Sequence, residues 1–280
     1  MMRVLSLHLH PLKSGAIITV PRLHVDRDGA RGDRRWMLVD ETLRFVSQRE
    51  LPAMARLHAV PNGDGIDISF DGEALGHAVA SGERVQATVW RDVVSVATVA
   101  KAVDTAISAA LGRTVRLVAF DQTSQRTVDR EWADDATVGL ADGFPLLVAT
   151  VASLDDLNAV VRRRGEGDVP MSRFRPNIVI EGSEPWADDA WASIRVGDVL
   201  LDLVKPCTRC KVTTVDQANG TATSGEPLET LRTIRMSGDR RVPGVLFGWN
   251  AVVRSTGMVE VGAEVEVVRR REPWPIRSAV

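Results

Sequence analysis

The sequence is built largely from short segments in which apolar, often β-branched residues alternate with polar ones. Such segments favour β-strands, and the Gly, Asp, Asn and Pro residues between them favour turns. We predict strands at residues 3–10, 36–40, 65–70, 93–99, 177–182, 194–204, 211–216 and 262–268. Many short strands at irregular spacing are typical of β-barrels and β-sandwiches, so the sequence predicts a mainly β fold.

Helical patterns are limited to a few short segments. We predict helices at residues 98–112, 153–165 and 226–235. The first stops at Gly112, the residue type that most easily adopts the left-handed cap of a helix. The second begins with Ser153 as its N-cap, and the third has Pro227 near its first helical position. The predicted class is therefore α+β with a dominant β component.

The length of the chain favours two domains. A chain of 280 residues buries about three quarters of its unfolded surface, and a core of this size commonly splits in two. Residues 113–140 are polar, turn-rich and poor in periodic apolar positions, which predicts a linking region. We therefore predict one domain at residues 1–112 and another at residues 113–280. Residues 269–280 mix charge with prolines and are predicted to form a loose terminus.

The composition excludes several classes of protein. A net charge of -2, with 26% charged and 44% hydrophobic residues, is typical of soluble globular proteins and not of general nucleic-acid binders. No apolar run approaches the ~20 residues of a membrane span, and the first residues lack the apolar stretch of a signal peptide. Two cysteines are too few for a secreted disulfide scaffold. We expect a cytoplasmic protein.

The stretch "KPCTRCKVTTVD" contains both cysteines of the chain, Cys207 and Cys210. A closed zinc site is disfavoured because it needs four Cys or His ligands, whereas no second cysteine pair exists and all histidines precede residue 78. A thioredoxin-type couple needs a helix directly after the pair, whereas a strand is predicted at residues 211–216. Two inert, buried cysteines are a further alternative.

A fourth alternative is a metal site in which the protein supplies one thiolate. Soft transition metals bind sulfur, and a metal that arrives inside a cofactor needs only one protein ligand. Arg209 is suited to keep the adjacent sulfur of Cys210 ionised and to bind an anionic group of the cofactor. The spacing of the cysteines does not decide between this site and two inert core residues.

Histidines and tryptophans carry weaker signals. His8 and His10 alternate on the first predicted strand, which favours exposed polar positions over metal ligands. We expect core positions for Trp36, Trp90, Trp186, Trp191 and Trp249.

Longer motifs resemble a known family. The stretches "RFRPNIVIEG" (173–182), "EPWADDAWASIRVGDVLL" (184–201) and "KPCTRCKVTTVDQANGTATSGEPLETLRTIR" (205–235) resemble the MOSC domain. The stretches "LHPLKSG" (9–15) and "GDRRWMLVDETLRFVSQRELPAMARL" (32–57) are similar to the β-barrel domain that precedes MOSC in the mitochondrial amidoxime reducing component and its bacterial relatives. The resemblance implies two β-barrel-like domains with a molybdenum cofactor (Mo-molybdopterin) in the cleft between them.

The resemblance also assigns site residues. Cys210 matches the cysteine that ligates molybdenum, and Asp142 fits a carboxylate near the metal. The implied cofactor-binding residues are Lys13, Ser14, Arg34, Gly143, Phe144, Arg175, Asn177, Thr208 and Arg209. Thr208 replaces a serine of the family motif and keeps its hydroxyl, whereas Gly143 and Phe144 offer only backbone groups. Cations and amide groups suit the phosphate and pterin of such a cofactor.

The activity implied by the resemblance is the reduction of small N-hydroxylated compounds, with Cys210 and Asp142 as catalytic residues. No cysteine follows Cys210, so electrons are expected from a separate donor such as a ferredoxin or a cytochrome b5-like protein with its reductase. Neither nucleic acid nor a membrane is expected as a partner. The alternatives are a cofactor carrier or sulfur-transfer protein without reductase activity, and a small-molecule binder that has lost the cofactor.

Overall fold

The computed structural model describes residues 1–222 and 224–277. The strands are β1 (Met2–Leu9), β2 (Ile18–Val20), β3 (Arg22–Asp26), β4 (Gly29–Ala30), β5 (Trp36–Val39), β6 (Leu57–Asn62), β7 (Gly65–Phe70), β8 (Glu73–Val79), β9 (Arg84–Val89), β10 (Asp92–Thr98), β11 (Arg116–Ala119), β12 (Leu146–Thr150), β13 (Ile178–Glu181), β14 (Trp191–Val196), β15 (Val199–Thr208), β16 (Met236–Ser237), β17 (Leu246–Val253), β18 (Gly257–Glu260), β19 (Glu264–Arg270) and β20 (Ile276–Arg277). The α-helices are α1 (Lys101–Leu111), α2 (Val151–Arg163) and α3 (Leu228–Ile234), and short 3-10 helices span Pro52–Arg56, Met171–Phe174, Ala187–Ala190 and Lys211–Thr214. The predicted mainly β fold is confirmed.

Seven strands close into a barrel in the order β1, β13, β12, β17, β15, β14, β19 and back to β1. The first strand of the chain closes it, because β1 pairs with β13 on one side and with β19 on the other. Leu7 lies opposite Ile178 in the first pairing, and Met2 lies opposite Val265 in the second. The barrel core contains the fully buried Trp249. The N-terminal strand is therefore part of a barrel whose other strands all come from the second half of the chain.

In the first half, β2 pairs with β1, and β3 and β4 form a three-stranded sheet with β18. Strands β5 to β11 form two antiparallel sheets, one with the order β5, β11, β10, β9 and one with the order β6, β7, β8. Helix α1 contacts β8 and β11. Its buried residues Val103, Ile107 and Leu111 share one apolar cluster with side chains of both sheets. The tip of the β9–β10 hairpin consists of Trp90 and Arg91.

The predicted C-terminal cap of α1 is confirmed, whereas the predicted N-terminal cap of α2 is wrong. Gly112 caps α1 with φ 64°, the left-handed conformation expected from the sequence. The prediction of Ser153 as the N-cap of α2 is wrong, because Thr150 precedes it and its side chain accepts a hydrogen bond from the Ser153 amide. Ser153 thus lies in the first turn. Among the described residues, no helix has the length and apolar character that a membrane span requires.

The predicted strand at residues 211–216 is wrong, because Lys211–Thr214 form a 3-10 helix. The hydroxyl of Thr213 donates to the Cys210 carbonyl at 2.9 Å, and that of Thr214 donates to the Lys211 carbonyl at 2.8 Å. These local bonds hold a tight turn in a β-branched stretch that favours extended structure by propensity alone.

Two further predictions need correction. The segment 194–204 is not one strand but a hairpin that turns at Gly197, which has φ 56°. The loose terminus predicted for residues 269–280 is wrong as far as the structure describes it, because β20 pairs with β16 and Trp274 packs edge-on against Trp249 at 5.8 Å between ring centroids. The remaining residues, 278–280, lie outside the described range.

Candidate functional site

A cavity of about 870 Å³, including its open mouth, is lined by residues from both halves of the chain. Every site residue predicted from the sequence lines it: Lys13, Ser14, Arg34, Asp142, Gly143, Phe144, Arg175, Asn177, Thr208, Arg209 and Cys210. Most of them lie in the loops at the ends of β1, β12, β13 and β15. The fold therefore brings the whole predicted set together, while the role of each residue stays a prediction.

Three of the lining residues have unusual backbone conformations. Ser14, Arg34 and Arg175 have φ values of 64°, 44° and 57°, in the left-handed region that non-glycine residues rarely occupy. Such conformations cost about 1–3 kcal/mol each and persist where the surroundings fix them. The backbone of Arg34, for example, donates to the His10 carbonyl at 2.8 Å and accepts from the Leu140 amide at 2.9 Å.

Lys13 and Asp142 form an ion pair on one wall of the cavity. Lys13 Nζ donates to Asp142 Oδ1 at 2.5 Å and to the Leu140 carbonyl at 2.9 Å. The Lys13 side chain is buried, and this burial lowers its pKa although the charge of Asp142 opposes the shift. The Asp142 side chain is 68% exposed because it projects into the open cavity. Enclosure by the cleft would raise the pKa of Asp142. The charge and hydrogen bond of Lys13 outweigh that effect and hold the pKa of Asp142 well below its usual range.

Arg34 is fixed by a network at the base of the cavity. Its guanidinium contacts the Asp33 carboxylate, donates to Asn177 Oδ1 at 2.9 Å and donates to the Arg175 carbonyl at 3.1 Å. Burial would raise the pKa of Asp33, but the charge of Arg34 and the contact with His10 lower it to about 2. The prediction that His10 is exposed is wrong: it is fully buried beyond the end of β1, where its amide donates to Asp33 Oδ1 at 2.8 Å.

Arg175 carries an unsatisfied donor at the cavity. Its Nη1 donates to the Gly15 carbonyl and to Gln217 Oε1, each at 2.8 Å, while the buried Nη2 has no hydrogen-bond partner. Burial, with the nearby charge of Arg34, lowers the pKa of Arg175 to about 9. A buried cation without a carboxylate partner is costly, so the arrangement favours an anionic ligand at this position.

The two sulfurs lie on the same cavity and each contacts an arginine. Arg209 Nη1 donates to Cys207 Sγ at 2.8 Å, and Arg209 Nη2 donates to the Phe174 carbonyl at 2.7 Å. Arg209 therefore bonds the sulfur of Cys207 and not, as the sequence analysis expects, that of Cys210, which accepts from Arg49 Nε at 3.3 Å and from Nη2 at 3.1 Å. Both thiols are free and partly accessible, so the alternative of two inert core cysteines does not fit the structure.

Arg49 and Trp90 are site neighbours that the sequence analysis missed. The expected core position of Trp90 is wrong, because its side chain is 45% exposed. Its ring centroid lies 4.3 Å from the Arg49 guanidinium carbon, and its Nε1 donates to Asp142 Oδ1 at 3.3 Å. Arg49 is 161 positions from Cys210 in the chain, and no local pattern marks such a contact.

The donor set fits a metal that arrives inside an anionic cofactor. Within residues 1–222 and 224–277, no group of three or more His, Cys, Asp or Glu side chains is placed to hold a metal ion. A metal at Cys210 therefore needs its remaining ligands from outside the protein. An anionic cofactor also requires hydrogen-bond donors from the protein. Arg175 Nη2 and Arg209 Nε are such donors, because neither has a hydrogen-bond partner.

Two family models match this chain, one in each half. The MOSC N-terminal beta barrel domain matches residues 1–114, and the MOSC domain matches residues 135–266. The chain belongs to the MOSC family. The two models match this chain in the order N-terminal barrel domain, then MOSC domain, which confirms the family resemblance of the sequence motifs. The predicted division of the chain at residue 113 stays a prediction.

Relatives of this MOSC protein carry names linked to amidoximes and molybdenum. Mitochondrial amidoxime-reducing component 1 from Danio rerio is 31% identical over 94% of this chain and 83% of its own length. The Mus musculus protein of the same name is 30% identical over 94% of this chain and 81% of its own length. Molybdenum cofactor sulfurase from Oryza sativa subsp. japonica is 24% identical and matches 96% of this chain but 35% of its own length.

Proposed function

We propose that this MOSC protein binds a molybdenum cofactor and reduces N-hydroxylated compounds with electrons from a separate donor protein. The observation that carries the proposal is one cavity in which Cys210 lies among Lys13, Arg34, Arg175 and Arg209. A thiolate and a group of cations are what such a cofactor requires of its protein. The names of the amidoxime-reducing relatives support the reaction.

Each part of the site has a proposed role. Cys210 would ligate the metal. The cofactor's phosphate and pterin would be held by Lys13, Ser14, Arg34, Gly143, Phe144, Arg175, Asn177, Thr208 and Arg209. When bound, the cofactor supplies the two-electron redox chemistry. The protein binds and orients it, excludes part of the solvent, and presents the mouth of the cavity to a small substrate.

Protons are the second requirement, because removing the N-bound oxygen as water takes two electrons and two protons. Asp142 stays a carboxylate at neutral pH, since Lys13 holds its pKa well below the usual range. A carboxylate of such low pKa is a weak base, so its proposed role is to order a water molecule and to orient Lys13, and not to hold a proton itself. Lys13 Nζ, at 2.5 Å from Asp142 Oδ1, is the adjacent proton-bearing atom.

Turnover with a defined donor tests this function. The protein from a cofactor-competent host is mixed with an aromatic amidoxime and with a ferredoxin or cytochrome b5 system, and the amidine product is quantified. Wild type and Cys207→Ser should form amidine, whereas Cys210→Ser should lose at least about 100-fold of the rate because the metal loses its protein ligand. Equal rates for wild type and Cys210→Ser would reject the proposed ligand.

A second candidate is a cofactor carrier or sulfur-transfer protein without reductase activity. It is favoured by Cys207, whose sulfur lies on the same cavity at 2.8 Å from Arg209 Nη1, and by the relative named molybdenum cofactor sulfurase. Incubation with a cysteine desulfurase and cysteine, followed by intact-mass analysis, distinguishes the two. A persulfide on Cys207 without any amidine formation supports this candidate, and turnover without a persulfide supports the reductase.

A further inference from the structure

Arg49 makes an unusual pair of contacts with the proposed metal ligand. Its Nε and Nη2 both donate to Cys210 Sγ, at 3.3 and 3.1 Å. Within the described part of the chain, the guanidinium makes no other hydrogen bond. Two donors on one sulfur restrict both its position and its direction, because the planar guanidinium presents them in a fixed fork.

Trp90 in turn fixes Arg49. The guanidinium carbon lies 4.3 Å from the centroid of the Trp90 ring, which is the geometry of a cation–π contact. The indole Nε1 donates to Asp142 Oδ1, and Phe45 packs against the ring at 4.9 Å between centroids. Trp90 also has φ 58°, the positive value that favoured two-residue hairpin turns have at their first turn residue.

We infer that Arg49 is a positioning residue that fixes the Cys210 sulfur for the metal, and that Trp90 fixes Arg49 while linking it to Asp142. The inference rests on the proposed function, because it takes Cys210 as the ligand. It extends that function by assigning a role to two residues outside the cofactor-binding set. Groups that orient metal ligands typically change affinity or activity by about 10- to 100-fold when removed.

The first test needs no cofactor. Urea-unfolding midpoints are measured for Arg49→Met, Cys210→Ser and the double variant, all prepared without the cofactor. We expect the shift of the double variant to be smaller than the sum of the single shifts, because residues in direct contact are not additive. The matched control is Arg44→Met, five positions earlier and paired with Glu50, whose shift should add to that of Cys210→Ser. Additive shifts for Arg49 would overturn the inference.

The second test uses the protein with its cofactor. Arg49→Met should keep molybdopterin near the wild-type amount but change the electron paramagnetic resonance signal of the metal and lower kcat about 10- to 100-fold. Arg49→Lys should rescue little, because lysine lacks the fork. Trp90→Phe, which keeps a ring face, should change the signal less than Trp90→Ala. An unchanged signal and kcat in Arg49→Met would overturn the inference.

The two tests separate the inference from the proposed function. Non-additive unfolding in a protein that takes up no molybdenum would retain the Arg49–Cys210 contact and reject the function. The opposite result would retain the function and reject the role of Arg49. In that case wild type takes up molybdenum and turns over, the urea-midpoint shifts of Arg49→Met and Cys210→Ser add, and the electron paramagnetic resonance signal of Arg49→Met is unchanged.

Discussion

At the scale of single residues, the buried Asp33 carboxylate connects the site to acid stability. Its folded pKa of about 2 lies below the ordinary value of 3.8. The unfolded chain therefore binds more protons between these values, and the stabilisation is lost as pH falls from about 4 to about 2. Complete protonation should remove about 2 kcal/mol of unfolding free energy from wild type through this group, of which about 1 kcal/mol is lost by pH 3. Asp33→Asn should lack that step when urea unfolding is compared at pH 6 and pH 3, and an identical step in both proteins would contradict the assignment.

The unsatisfied Arg175 Nη2 predicts a response of the cofactor-free protein to anions. Inorganic phosphate should raise the Tm relative to chloride at equal ionic strength, because it binds the folded cavity and not the unfolded chain. A gain of 1 kcal/mol corresponds to about 2–4 °C for a chain of this size. Arg175→Met should remove most of the shift, whereas Arg163→Met, on the exposed end of α2, should retain it. Equal shifts in both variants would point to a general salt effect.

The sequence predicted part of the site. The resemblance marked residues such as Lys13 and Cys210 because they belong to short local motifs, and the structure places them on one cavity. Arg49 and Trp90 were missed because their contacts depend on how distant segments meet. His10 was misread because alternation along a strand says nothing about a residue just beyond its end.

At the scale of elements, the N-cap of α2 gives a prediction of stability. The Thr150 side chain accepts from the Ser153 amide, which otherwise lacks a partner inside the helix. Thr150→Ala should lower the free energy of unfolding by about 1 kcal/mol in urea or thermal denaturation. Thr105→Ala, at an exposed position inside α1, removes the same hydroxyl without a cap and should change stability by less than about 0.5 kcal/mol. Equal losses in the two variants would argue against a capping role.

Element predictions held where local pattern and tertiary context agree, as in α1 with its Gly112 cap. They failed at residues 211–216, where two threonine hydroxyls bond back to carbonyls and stabilise a turn. They also failed at the C-terminal segment, because its order comes from a pairing with β16 and a contact with Trp249. Neither partner is near it in sequence.

At the scale of the whole molecule, β1 makes the two halves interdependent. A fragment of residues 113–280 lacks the strand that pairs with both β13 and β19, and it would expose two strand edges and part of the barrel core. We predict that this fragment aggregates or unfolds without cooperativity in urea, whereas the full chain unfolds cooperatively. A fragment that retains a cooperative transition and the β-sheet circular dichroism of the full chain would contradict this prediction. Closure by the first strand was not predictable from local pattern.

The proposed function depends on ligation of a metal by Cys210 in the cavity that both halves of the chain line. The most direct measurement is the molybdenum content per chain, by elemental analysis, of protein purified from a cofactor-competent host. Wild type and Cys207→Ser should each contain close to one atom per chain, and Cys210→Ser should contain little or none. Molybdenum that persists in Cys210→Ser, or that is lost in Cys207→Ser instead, would contradict it.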